Sequence, residues 1–167
     1  MIKFVLHGGN TSENNRDNNS FFREMTVSSK KKLKILLNYF SRDGSEHTKL
    51  YKQDVARFKK LSLVKNLDFM MAEPDKLSQQ LKLADVMYMR GGWTEWLTKE
   101  LSLTKNFEKL LSNKVIGGSS AGVYCLSKYY YGNDVGKIGE GLGILPIKAY
   151  CHYEKNDTDI VKKLASY

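Results

Sequence analysis

Cysteine occurs only twice in the 167 residues. Cys125 and Cys151 allow at most one bridge, and their separation excludes the CxxC spacing of a zinc or redox site, so both are expected to be reduced thiols. Long apolar runs are missing as well. No stretch approaches the roughly 20 residues of a membrane-spanning helix. The apolar run Met1-Ile2-Lys3-Phe4-Val5-Leu6-His7 is too short for a signal-peptide core and reads as a first strand. A membrane partner is not expected, and the cytoplasm is the expected location. Internal repeats and long linkers are lacking too, which leaves one domain over residues 1–167. Acidic residues are in the minority, 18 against 27 basic, for a net charge of +9. That excess would suit nucleic acid if it were focused on one face. Apart from Lys30-Lys31-Lys32 the lysines are scattered through helix-like stretches, so a solvated surface is expected and no nucleic-acid partner.

What is present is the balance of a globular protein, 41% hydrophobic and 27% charged residues. Strand-like runs recur at Ile2–Leu6, Leu33–Phe40, Leu67–Met71, Val86–Met89 and Val115–Gly117, with helix-like segments between them. That alternation predicts an α/β domain with a largely parallel sheet. Tyr51, Val55, Phe58 and Leu61 have the spacing of an amphipathic helix over residues 50–61. Asp75 is placed to cap a helix through Leu77, Leu81 and Leu83, and Thr94 to cap or open the next. Residues 8–19, rich in Gly, Asn, Ser and Thr, read as a loop at the carboxyl end of the first strand, where open α/β sheets bind ligands. Four glycines in residues 136–143 read as a turn-rich connection before strand character resumes over Ile144–Cys151.

The most informative stretch is Val115-Ile116-Gly117-Gly118-Ser119-Ser120-Ala121-Gly122-Val123-Tyr124. Read as strand, tight turn and helix, it contains a G-x-S-x-G nucleophile elbow centred on Ser120, the alternative being a plain glycine-rich turn. A serine needs a base, and only three histidines exist. His47 lies in a polar stretch and reads as an exposed loop residue. His7 either lines the site or merely ends the first strand. His152, beyond a strand and downstream of the elbow, stands where the base of a triad is expected. For the acid that would hold it, Asp134, Glu140 and Asp157 all remain candidates. A second glycine turn, Arg90-Gly91-Gly92-Trp93-Thr94, could supply N–H groups to an oxyanion hole together with Ala121, or be an ordinary strand-to-helix turn.

Three segments together resemble the peptidase E family of serine peptidases: Gly118-Ser119-Ser120-Ala121-Gly122, Arg90-Gly91-Gly92-Trp93-Thr94, and Gly141-Leu142-Gly143-Ile144-Leu145-Pro146 through His152-Tyr153. The resemblance implies a flavodoxin-like three-layer α/β/α sandwich related to class I glutamine amidotransferases, with serine in place of their cysteine. It implies hydrolysis of short peptides, including dipeptides with an N-terminal aspartate, without metal or cofactor, by a monomer or homodimer. Asn133-Asp134 is similar to the family's acidic position, which favours Asp134. An aspartate-selective pocket needs a cation, and Arg90 is the nearest in sequence, either turned inward or exposed at the strand end. The chain departs from the family at Arg90 and Trp93, where a third glycine and Asn are usual, at Cys151, where proline is common, and in an expected shortening of the C-terminal strands.

Two other readings compete. Leu6-His7-Gly8-Gly9 loosely resembles the HGGG oxyanion motif of α/β-hydrolase esterases, though the chain is short for that fold. The altered Arg90 and Trp93 would also suit a binding or regulatory relative that has lost efficient chemistry.

Overall fold

The computed structural model describes all residues, 1–167. In chain order its elements are β1 (Lys3–His7), α1 (Arg16–Glu24), β2 (Lys32–Asn38), α2 (His47–Leu61), β3 (Asn66–Met71), α3 (Leu77–Leu83), β4 (Val86–Met89), α4 (Thr94–Ser102), α5 (Phe107–Leu110), β5 (Val115–Ser119) and α6 (Ala121–Leu126). After these come β6 (Ser127–Gly132), β7 (Lys137–Glu140), β8 (Leu145–Ala149) and α7 (Thr158–Ala165). No helix is long and apolar enough to cross a membrane.

The first five strands form one sheet in the order β1-β5-β4-β2-β3, every pair parallel. Successive side chains of a strand point to opposite faces, and the central strands use both. Val86 and Tyr88 of β4, with Ile35 and Leu37 of β2, pack under α1 and α2 against Phe21, Phe22, Met25 and Phe58. Met87 and Met89, with Leu36, face the other way, against Leu77, Leu81, Leu97, Leu101 and Leu126 of α3, α4 and α6. Burial on both faces explains why these strands read as continuous apolar runs. The result is the expected three-layer α/β/α arrangement around a parallel sheet.

Strand order also decides where a ligand can sit. From β2 the chain steps outward to β3, then returns to β4 and β5 on the other side of β2. The connections that follow β2 and β4 therefore diverge, and a crevice opens between them at the carboxyl ends of the strands. Arg42 follows β2, Gly91 and Gly92 follow β4, and Ser120 follows β5.

Several elements differ from expectation. The loop after β1 ends early, because the Asn15 side chain accepts a hydrogen bond from Asn18 N at 2.8 Å and caps α1. That helix escapes a periodicity reading because its apolar residues, Phe21 and Phe22, lie only in its second half. Asp75 caps nothing; it lies inside a single 3-10 turn, Pro74–Lys76, that leads into α3. His47 is not in a loop. It opens α2, half-buried beside Tyr39, with Nε2 at 3.1 Å from Arg42 O. Residues 136–143, expected to be a turn-rich connection, contain strand β7, which joins β6 and the strand found within residues 144–151, β8, in a second sheet of order β7-β6-β8, with β6–β7 antiparallel and β6–β8 parallel. Gly136 and Gly143, at φ 64° and 67°, do lie in the connections, but Gly139 makes room: a Cβ there would stand 2.6 Å from Tyr130 Cζ, so the tyrosine ring lies across that strand.

Phe58 has no solvent exposure and its ring meets Phe22, Phe69 and Tyr88 at centroid distances of 5.0, 6.1 and 5.9 Å. Phe58→Ala is expected to cost about 3–5 kcal/mol, read as a lower midpoint in urea unfolding; a loss below about 1 kcal/mol would show that α2 does not anchor this layer.

Candidate active site

Ser120 stands between β5 and α6 with φ 48° and ψ −104°, a backbone conformation that side-chain-bearing residues rarely adopt. The neighbouring residues make that turn possible. A Cβ on Gly118 would lie 2.9 Å from the Gly122 carbonyl carbon, and one on Gly122 would lie 2.7 Å from Met89 O. Strand, turn and helix therefore meet closer than any larger side chain permits. Hydrogen bonds then lock the turn: Ser120 N donates to His7 O at 3.0 Å, and Val123 N and Tyr124 N donate to Ser120 O at 2.8 and 3.0 Å. Ser119 is turned into the interior, whereas Ser120 keeps access to solvent.

His152 follows β8, and its Nε2 lies 3.0 Å from Ser120 Oγ. Two features hold it there. His152 N donates to Gly8 O at 3.0 Å, and the ring lies over Gly9 so closely that a Cβ on that residue would stand 2.1 Å from His152 Cε1. Gly9 itself has φ +124° and donates its N–H to His7 Nδ1 at 3.1 Å. Burial lowers the pKa of His7, which keeps its imidazole a neutral acceptor for that bond. Leu6-His7-Gly8-Gly9 therefore seats a histidine, and its Gly9 N–H is already engaged by His7. Cys151, next to His152, is buried; its N–H donates to Tyr124 Oη at 2.9 Å, and burial pushes its thiol up to about 12. It offers no competing nucleophile at neutral pH.

Backbone amides without an acceptor in the protein lie beside the serine turn. Gly91 packs against it, with a Cβ there falling 3.1 Å from Ser120 Cβ, and the N–H groups of Gly91 and Gly92 donate to no acceptor in the protein. Gly92 can only be glycine, since a Cβ would meet Ser41 O at 2.2 Å. Ala121 opens α6, where helical amides have no partner within the helix.

The acid and the cation fall differently. Asp134, in the turn between β6 and β7, lines the same cleft as Ser120 and His152. It does not bond to the histidine: no Asp or Glu oxygen comes within 4.0 Å of either ring nitrogen of His152. Glu140 is an exposed residue of β7, and Asp157 is engaged by Tyr150 Oη at 2.6 Å and Glu154 N at 2.8 Å. Arg90 is neither turned into this cleft nor exposed. It is 8% exposed, pairs with Asp54 at 2.6 Å, and lines a different pocket. Burial opposes its charge, but the adjacent Asp54 carboxylate more than restores it and holds the guanidinium above its ordinary pKa. The cation that does line the cleft is Arg42, which the sequence reading passed over. Its Nε donates to Gly91 O at 2.6 Å, and it forms no ion pair. Only the strand order, which puts the ends of β2 and β4 side by side, could have pointed to it. Trp93, half-exposed beside Trp96 at 6.0 Å between ring centroids, forms another wall.

Comparison with known proteins agrees with this architecture. The model of a family described as Peptidase family S51 matches residues 4–166. No curated protein matches the chain. Among solved structures the chain is similar to one described as a peptidase E protein from Listeria monocytogenes EGD-e, at 18% identity and a TM-score of 0.67, covering 99% of this chain and 87% of that one. It is also similar to a peptidase from an acI-B1 Actinobacterium, at 18% identity and a TM-score of 0.70, covering 99% of this chain and 75% of that one. At such identity the two structures speak for a shared fold.

Because the His152 ring rests on Gly9, Gly9→Ala should push the imidazole away from Ser120 while leaving the sheet intact. The expected result is a fall in kcat on the order of 10²-fold, measured by steady-state kinetics beside an unchanged far-UV spectrum. Wild-type kcat in this variant would show that the glycine seat does not position the histidine.

Proposed function

The chain belongs to peptidase family S51 and is a peptidase; we propose that it hydrolyses short peptides through Ser120 and His152, with a preference for an N-terminal aspartate. The observation that carries this reading is the 3.0 Å approach of His152 Nε2 to Ser120 Oγ at a strained strand-to-helix turn. Ser120 attacks the scissile carbonyl as His152 Nε2 takes its proton. The carbonyl oxygen gains negative charge within reach of the Gly91, Gly92 and Ala121 N–H groups. His152 returns the proton to the leaving amine, the C–N bond breaks, and a water activated by the same imidazole releases the acyl group from Ser120.

Support for the aspartate preference moves from Arg90 to Arg42. Arg42 lines the cleft without a carboxylate partner, whereas the charge of Arg90 is matched by Asp54. A guanidinium held by one N–H at Gly91 O still has its outer edge free for a substrate carboxylate.

Hydrolysis of Asp-p-nitroanilide, its Leu analogue and a short-chain p-nitrophenyl ester tests the reading. Ser120→Ala is expected to abolish Asp-p-nitroanilide release while remaining folded; undiminished turnover would remove Ser120 from the mechanism. Arg42→Gln is expected to raise KM for the Asp substrate about tenfold or more, the worth of one charge-assisted hydrogen bond, with the Leu analogue unaffected. Equal loss on both substrates would make Arg42 a support for the Gly91 turn rather than a selector. Asp134→Asn is expected to change kcat by less than about tenfold, against the roughly 10⁴ that an engaged triad acid is worth. A drop of that larger size would mean that the β6–β7 turn closes onto His152 when substrate binds.

A further inference from the structure

A polar pocket of about 280 Å³ is lined by Thr11, Ser12, Gln53, Asp54, Arg57 and Arg90. It shares no residue with the clefts around Ser120. Its floor is the buried pair Arg90–Asp54, whose side chains are 10% and 4% exposed. Both Asp54 oxygens are occupied, Oδ1 by Arg90 Nη1 at 2.6 Å and Oδ2 by Tyr39 Oη at 3.0 Å. Arg90 is not similarly satisfied: that bond to Asp54 is the only one its guanidinium makes. The polar side-chain atoms sealed away without a partner are Asn38 Nδ2 and Thr98 Oγ1 alone, so the remaining Arg90 donors open onto the pocket.

A second guanidinium stands at the rim. Arg57 donates to the carbonyls of Thr11 and Ser12 and lies 5.4 Å from the centre of the Phe22 ring, so it is held in place without meeting a carboxylate. Two guanidinium groups against one carboxylate leave an excess positive charge in a partly desolvated, polar-walled space. Donors that reach the pocket and make no bond within the protein are free to take up the oxygens of a bound anion. A planar guanidinium edge fits carboxylate and phosphate oxygens in particular, and a 280 Å³ pocket suits a small molecule.

We propose that this pocket binds a small oxyanion, a carboxylate or a phosphate, on the free edge of Arg90 with Arg57 beside it. The site rests on no part of the Ser120 mechanism, and its test is separate from the peptidase assays. Inorganic phosphate and acetate are each titrated into the full chain by calorimetry and by amide chemical-shift mapping. Saturable binding of either, with shifts confined to Thr11, Ser12, Gln53 and Arg57, is the expected result, and which anion binds tells phosphate from carboxylate chemistry. Arg57→Gln should weaken that binding about tenfold, whereas Lys60→Gln, at the exposed end of the same helix, should leave it unchanged. Three results would overturn the site: no saturable binding of either anion to the wild type, shifts that fall instead at Gly92, Trp93 and Asn133, or a folded Arg57→Gln that binds as the wild type does. Should Arg57→Gln fail to fold, the wild-type shift map decides alone.

Discussion

The constraint on which the rest of this structure depends is the absence of side-chain volume where β4, β5 and α6 meet. Gly118 touches Gly122, Gly122 touches Met89 O, and Gly91 touches Ser120. The first two are backbone approaches that a methyl group would prevent, and the third leaves a methyl group only tight space. Because the strand and helix can come so near, the chain turns within a single residue, and that residue is driven to φ 48° with its side chain outward. The strain is offset by the buried apolar layers on both faces of the sheet, which fix β4 and β5 in register from Val86 to Met89.

The two sheets divide the work. The parallel sheet supplies the serine and its amide donors from the ends of β4 and β5; the smaller mixed sheet supplies His152 from the end of β8 and Asp134 from the β6–β7 turn. What joins them at Ser120 and His152 is the segment His7-Gly8-Gly9 at the end of β1. Gly8 O accepts the His152 N–H, Gly9 lies under its ring, and His7 O accepts the Ser120 N–H. One short segment thus touches both Ser120 and His152, and the buried contact of Tyr124 Oη with Cys151 N secures the residue beside the histidine, so that Ser120 Oγ and His152 Nε2 stand 3.0 Å apart. A carboxylate commonly fixes the orientation of such a histidine; here backbone atoms hold it from two sides.

Much of this was legible in the residues. The apolar runs gave the five parallel strands because both faces of each central strand are buried, and the glycines around Ser120 marked a turn that no other residue could make. His152 was recognisable by its place after a strand and the elbow. Three things were not legible. Helix α1 carries its apolar residues at one end only, so no period showed. Strand β6 carries three tyrosines and β7 carries Gly139, over whose missing side chain the Tyr130 ring packs, and glycine in sequence reads as a turn. The roles of Arg42 and Arg90 depend on strand order, which periodicity cannot supply: proximity to the Gly91-Gly92 turn in sequence favoured Arg90, yet adjacency in the sheet favours Arg42.

That exchange of arginines has a physical reason in the alternation of the chain at the end of β4. Tyr88 and Arg90 project to the side of α1 and α2, where Asp54 waits; Met89 projects to the opposite layer. An arginine at that position cannot reach the crevice without taking its charge through the core, so it is neutralised by α2 instead, and Tyr39 completes the carboxylate's hydrogen bonds. The pair ties α2 to the strand that ends in the Gly91-Gly92 turn. Removing one partner of such a buried pair leaves an uncompensated charge, whereas removing both together does not. Arg90 is thus tied to α2 just ahead of the glycine turn, while the cation that lines the cleft, Arg42, comes from beyond the end of the neighbouring strand β2.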